Sequence, residues 1–241
     1  MSYEFDSAMH TAMEFQRDGR HEDALALRFE AYDLTESGSI DHGRAARDIA
    51  ASYDRLGNLN RAQHYAMEAH ETHKSIVDQD RRDKPARREL GATQIYIGTV
   101  GLRNAIAVER ETGVVDAEAT GNTLDMFRQA NANLRELEHG FRPDQYRINT
   151  VGRWALTEGL YGNPARGVFV GIKGGVMAAV SESPRLVENA APDMPLHDKL
   201  KVRARGIARA AVAVGVSALN VFEPIKKRTR KLSLMLANKA L

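Results

Sequence analysis

His64, His70 and His73 share one stretch of chain, and His70 and His73 stand three residues apart. On a helix that spacing puts two imidazoles on adjacent turns, where both can ligate one metal ion. No third ligand stands at a fixed position beside them, so the histidines are expected at a solvated surface and no metal site is expected. A second grouping is the run of glycines from Gly162 through Gly167, Gly171, Gly174 and Gly175, with Lys173 among them. A phosphate-binding loop needs Gly-Lys-Ser/Thr opening a helix after a strand. Here Lys173 is followed by Gly174 and no strand precedes it, which argues against a nucleotide. No Ser/His/Asp grouping and no paired-acid motif stands on a loop, so neither an enzyme nor a cofactor is expected.

Binding chemistry is better represented. Asp6, Met9, His10, Met13, Gln16 and Arg17 recur at helical spacing, as do Arg44, Arg47, Asp48, Ala51, Asp54 and Arg55. A mixed Met and Arg surface can receive a peptide with an apolar anchor and acidic residues, because Met adapts its shape and Arg pairs with carboxylates. The candidates are Met9, His10, Met13, Arg17, Arg44, Arg47 and Arg55; the bland reading is a solvated helix face. The other basic group is Lys226, Lys227, Arg228, Arg230 and Lys231, which follows the uncharged stretch Ala210–Phe222. Those 13 residues are too few to span a bilayer. A basic cluster beside an apolar helix can lie on an anionic membrane, or it can be the rim of a buried final helix. Nucleic acid is the weaker partner, since Phe222 is the one aromatic of this tail and no known motif is present.

Both groups must be held by helices. Ala8, Thr11, Ala12, Phe15, Gly19, Ala24, Arg28 and Ala31 set a template. It returns 38 residues later as Ala46, Ile49, Ala50, Tyr53, Gly57, Ala62, Ala66 and Ala69. Apolar residues three and four apart lie on one helix face. Gly57 takes the helix end, where positive φ is free for Gly, and Asn58 or Asn60 caps the next helix. Alanines spaced four and three apart let two helix backbones approach. One such hairpin cannot bury its own face, so neighbours must stack on it.

These segments, residues 5–38 and 43–76, resemble tetratricopeptide repeats. A weaker third match runs over 147–180, where Trp154 and Ala155 precede Gly162 and Gly167, Gly171 and Gly174 follow it. Glu158 stands there in the aromatic position, and Arg28 holds the place of a bulky residue in the first repeat. The resemblance implies an all-α helical-hairpin solenoid of about ten helices, with irregular repeats and capping helices at its C-terminal end. It implies a non-enzymatic adaptor or scaffold binding a peptide or partner helix in a concave groove. Members that hold a C-terminal carboxylate use Lys and Asn where this chain has Met9, Met13, Arg47 and Ala51, which argues against that ligand.

The sequence reads as helices near 2–18, 21–36, 42–56, 60–79, 86–111, 117–138, 143–161, 164–181, 195–222 and 224–241. A strand hairpin over 168–180 is the alternative for the glycine-rich stretch, and the register of 83–139 against the template is open. Three prolines between Ser183 and Pro195 mark 183–194 as a linker, separating a repeat domain (1–182) from a basic helical segment (195–241).

From Ala190 onward 11 Lys and Arg face three acids, a net +8, against −6 for residues 1–189. That split suits a basic tail for an anionic partner or a basic cap on acidic repeats. With no cysteine there is neither a disulfide nor a thiolate metal site. The opening MSYEFDSAMH has no basic, apolar leader, so a cytoplasmic protein is expected. A self-assembling structural protein, built by stacking small-residue helix faces between copies, is a further reading.

Overall fold

The computed structural model describes residues 3–135, 137, 145–180, 196–221 and 223–241. These form helices and no strand: α1 Tyr3–Arg17, α2 His21–Asp33, α3 Ile40–Arg55, α4 Leu59–Gln79, α5 Lys84–Thr112, α6 Ala117–Arg135, α7 Gln145–Tyr161, α8 Pro164–Val180, α9 Leu196–Val221 and α10 Glu223–Ala240. The chain divides inside α5 into two compact units, Met1–Ile97 and Gly98–Leu241. The linker expected at 183–194 lies outside the described residues.

In the first unit α1 packs on α2, α2 on α3 and α3 on α4. Local chemistry sets the turns. Gly19 and Gly57 both adopt positive φ (78° and 76°), the left-handed conformation that ends a helix without a Cβ clash. Ser39 and Asn58 accept hydrogen bonds from the amides of His42 (3.1 Å) and Arg61 (3.2 Å), capping α3 and α4. Of the template alanines, Ala12, Ala24, Ala31, Ala46, Ala50, Ala62, Ala66 and Ala69 are buried and Ala8 is half-buried, so the repeat records where helices approach. Larger side chains fill the remainder: Tyr53 stacks on Tyr65 at 5.8 Å, and Phe29 meets both rings edge-on.

Two contacts fix the sense of α1 against α3. Phe5 and Ala45, near the helix starts, share one apolar cluster with Ala31. Gln16 and Ser52, near the helix ends, both accept from the Arg28 guanidinium of α2. The two helix starts converge on Ala31 of α2 and the two helix ends on its Arg28, so α1 and α3 run in the same direction. The first half of α5 packs next, with Ala86 and Leu90 against Val77 of α4.

The second unit is built around α7, α8 and α9, which pack on one another, while α6 joins α7 and α10 joins α9. Val151, Ala155, Leu156, Val170, Ala213 and Val216 form its centre. The strand alternative over 168–180 is replaced by helix α8. Its glycines each cost helix propensity, about 1 kcal/mol against Ala, but here they permit close contact. A Cβ on Gly167 would lie 2.9 Å from the Gly159 amide nitrogen and 3.0 Å from the Ala155 carbonyl oxygen. Gly174 faces Val151 and Gly171 faces Val214, so α8 is pressed on α7 and α9 at once.

Candidate binding surfaces

Along α1 the side chains of Met9, Met13 and Arg17 follow one another at four-residue spacing. Met9 is half-buried on the Phe5 cluster, whereas Met13 and Arg17 are exposed. His10 is exposed and faces Glu14 at 3.5 Å. On α3, Arg44, Arg47, Ala51 and Arg55 form the corresponding line. Its two ends differ. Arg47 pairs with Glu89 of α5, and the Arg44 guanidinium lies 3.6 Å from the same carboxylate and 3.2 Å from Asp41. Burial pushes the Glu89 carboxyl up, but Arg47 and Arg44 outweigh it and hold the group below its usual range. These two arginines are therefore supplied with a carboxylate from within the chain. Arg55, at the other end, is exposed, and no carboxylate holds it or Arg17 among the described residues.

Between the two lines runs a polar bridge. The buried Arg28 guanidinium donates to Gln16 at 2.6 Å and to Ser52, and Asp48 faces it. Burial lowers its proton affinity, and the nearby Asp48 opposes that shift. A cation in the place of an apolar repeat residue is thus paid for by three polar neighbours on α1 and α3.

The histidine expectation needs correction. His73 is completely buried. Its Nε2 lies 3.2 Å from the Ile40 carbonyl oxygen, and since a carbonyl only accepts, Nε2 carries the proton. Nδ1 then accepts from the Thr93 hydroxyl at 3.1 Å. Gly43 makes room for the ring, for a Cβ there would stand 2.8 Å from His73 Cδ2. Burial, with Arg47 close by, lowers the imidazole to about 4. His70 is half-buried and also shifted down by burial, while His64 is exposed. Among the described residues no group of three or more His, Asp or Glu is placed to hold a metal ion.

In the second unit Arg230 is drawn inward. It donates to both carboxylate oxygens of Glu109 (2.6 and 2.7 Å) and to the Leu160 carbonyl at 2.9 Å, and it lies over the Tyr161 ring. Lys231 is exposed. Lys226, Lys227 and Arg228 lie on α10, and their side chains fall outside the described set. Glu158, the residue in the aromatic place of the third match, is also buried. Its carboxylate accepts from Trp154 Nε1 (2.9 Å), Arg128 (3.0 Å) and the Asn163 amide (3.1 Å). It closes the α7–α8 turn in place of a left-handed glycine, and Gly162 keeps an ordinary φ.

One further surface had no signal in the helix pattern beyond the apolar character of the stretch. Phe169, Ile172 and Val176 are 71%, 56% and 57% exposed along one side of α8. Lys173 lies among them; burial lowers its proton affinity, and so do Arg147 of α7 and Arg135 of α6. No helix among the described residues is long and apolar enough to cross a membrane. No family model matches this chain, and no curated protein or solved structure matches it.

Proposed function

We propose that this chain is a non-enzymatic interaction protein built on tetratricopeptide-like hairpins, and that the α1–α3 face of its first unit receives a peptide. The carrying observation is the uneven supply of counter-charge along that face. Glu89 neutralises Arg44 and Arg47, while no carboxylate among the described residues holds Arg17 or Arg55 beside the exposed Met13. An apolar side chain seated against Met13, Met9 and Ala51, followed by acidic residues toward Arg17 and Arg55, fits that arrangement. The parallel run of α1 and α3, the two left-handed glycines and the buried template alanines support the repeat reading. Selection of peptides from a displayed random library on the full chain tests it. Enrichment of an apolar anchor with neighbouring Asp or Glu is expected. Recovery of no common motif, or of a basic one, rejects the reading.

A second reading attaches to the other unit. It carries 21 Lys and Arg against 14 Asp and Glu, a net +7, whereas the first unit carries 13 against 18, a net −5. The exposed Phe169–Ile172–Val176 stripe beside Lys173 suits contact with an anionic bilayer surface, apolar groups entering and cations staying at the headgroups. Sedimentation with phosphatidylserine vesicles is expected to pull the protein down and to fail for Phe169→Glu with Ile172→Glu. Equal sedimentation of both proteins contradicts it.

A further inference from the structure

Buried cations in proteins are ordinarily held by acceptors or counter-charges, because desolvation without a partner costs several kcal/mol. The described arginines with a sequestered Nε mostly follow this. In Arg28 the terminal nitrogens hold Gln16 and Ser52, and in Arg128 they hold Glu158 and Asp125. Arg153 of α7 differs. Its Nε is cut off from water with no acceptor, and the charged groups facing it are two more cations, Arg209 of α9 and Arg103 of α5. The packing holds them together. The Arg209 stem passes Gly152 of α7, its Cγ and Cδ 3.7 Å from where a Cβ would stand, and Arg209 Nε is tied to the Ala240 carbonyl at 2.8 Å. Burial, then Arg209 and Arg103, brings the Arg153 guanidinium down to about 10.

We propose that Arg153, with Arg103 and Arg209 beside it, is a binding site for a phosphate-type oxyanion. A half-buried guanidinium lacking an acceptor has donors to offer, and Arg209 and Arg103 add positive potential at Arg153, where no carboxylate among the described residues opposes it. A tetrahedral dianion presents acceptors in several directions and two charges, which suits an acceptor-free guanidinium with two more cations near it better than a single carboxylate does. The site is independent of the α1–α3 face, which belongs to the other unit.

Thermal unfolding of the full chain in inorganic phosphate, with sodium chloride and sodium acetate at matched ionic strength, reads the site. Phosphate is expected to raise the melting temperature in a saturable way that chloride and acetate do not reproduce. Arg153→Met is expected to melt higher than the parent without phosphate, since it removes an uncompensated buried charge, and to lose the phosphate response. Titration calorimetry of the parent and of Arg209→Gln gives a second reading that does not depend on how Arg153→Met folds. A phosphate affinity at least tenfold weaker in Arg209→Gln is expected. Vesicles carrying phosphatidic acid separate the sources: a lipid-borne phosphate retains the parent but not Arg153→Met, a free anion retains neither. A phosphate response matched by chloride, or one that persists in Arg153→Met, overturns the proposal.

Discussion

Protonating His73 would place a charge in a fully buried site near Arg47. Its imidazole moves from 6.5 to about 4 on folding. Between those values the unfolded chain binds the proton and the folded chain does not, so stability is full above pH ~6.5 and falls as pH drops toward 4. The loss approaches about 3 kcal/mol at the acid end of that window. Urea unfolding at pH 7.5, 5.5 and 4.5 should show this slope, and His73→Gln should flatten it by about one proton; an equal slope in both proteins would refute the assignment. Glu158 gives a second expectation. Glu158→Gln keeps the shape but removes the charge held by Arg128 and shared with Arg166, and should lower stability by about 1–3 kcal/mol in the same unfolding measurement. None of this charge pairing was legible in the sequence. Arg47 finds Glu89 and Arg230 finds Glu109 across separations of 42 and 121 residues, and helical periodicity carries no information about a partner on another helix. His73 has the same history: the spacing placed it on a helix, but its surroundings, Gly43, Thr93 and Ile40 among them, come from neighbouring elements.

At the scale of elements the sequence was far more informative. Turn signals are local, so the Asn58 and Asn163 caps and the positive-φ Gly19 and Gly57 placed the ends of α1, α3, α4 and α8 closely. What was not legible was the purpose of each glycine. Gly167 is needed for contact with α7, whereas Gly215 of α9 has open space where a Cβ would stand. Gly215→Ala should therefore raise stability by about 1 kcal/mol through helix propensity. Gly167→Ala should lower it by about 1–3 kcal/mol, because the α7 backbone at Gly159 and Ala155 must give way. Thermal melts of the two variants decide the matter, and a stabilised Gly167→Ala would show that α8 does not press on α7 as described. The α7–α8 turn is the instructive departure: it has the offsets of the first two hairpins but uses the Glu158 carboxylate where they use a left-handed glycine.

Over the whole molecule, charge and exposed apolar groups divide between the two units. The acidic unit carries the Met and Arg face with its one saturated and one open end, and the basic unit carries the α8 stripe and the Arg153 cluster. The charge asymmetry was visible in the sequence: residues 98–189 are close to neutral and the positive excess of the second unit lies from residue 190 onward, although Arg230 of that basic run is held by Glu109. The peptide-binding proposal turns on Met13, Arg17 and Arg55, which are exposed and can be changed without disturbing the core. The decisive measurement is the affinity of a library-selected peptide for the parent, for Met13→Glu and for Arg17→Glu with Arg55→Glu, each checked for unchanged melting. Losses of about tenfold or more in both variants, as expected for a seated anchor and two guanidinium contacts worth about 1.4 kcal/mol or more, would support peptide capture on this face. Affinity unchanged in both would place the binding elsewhere and contradict it.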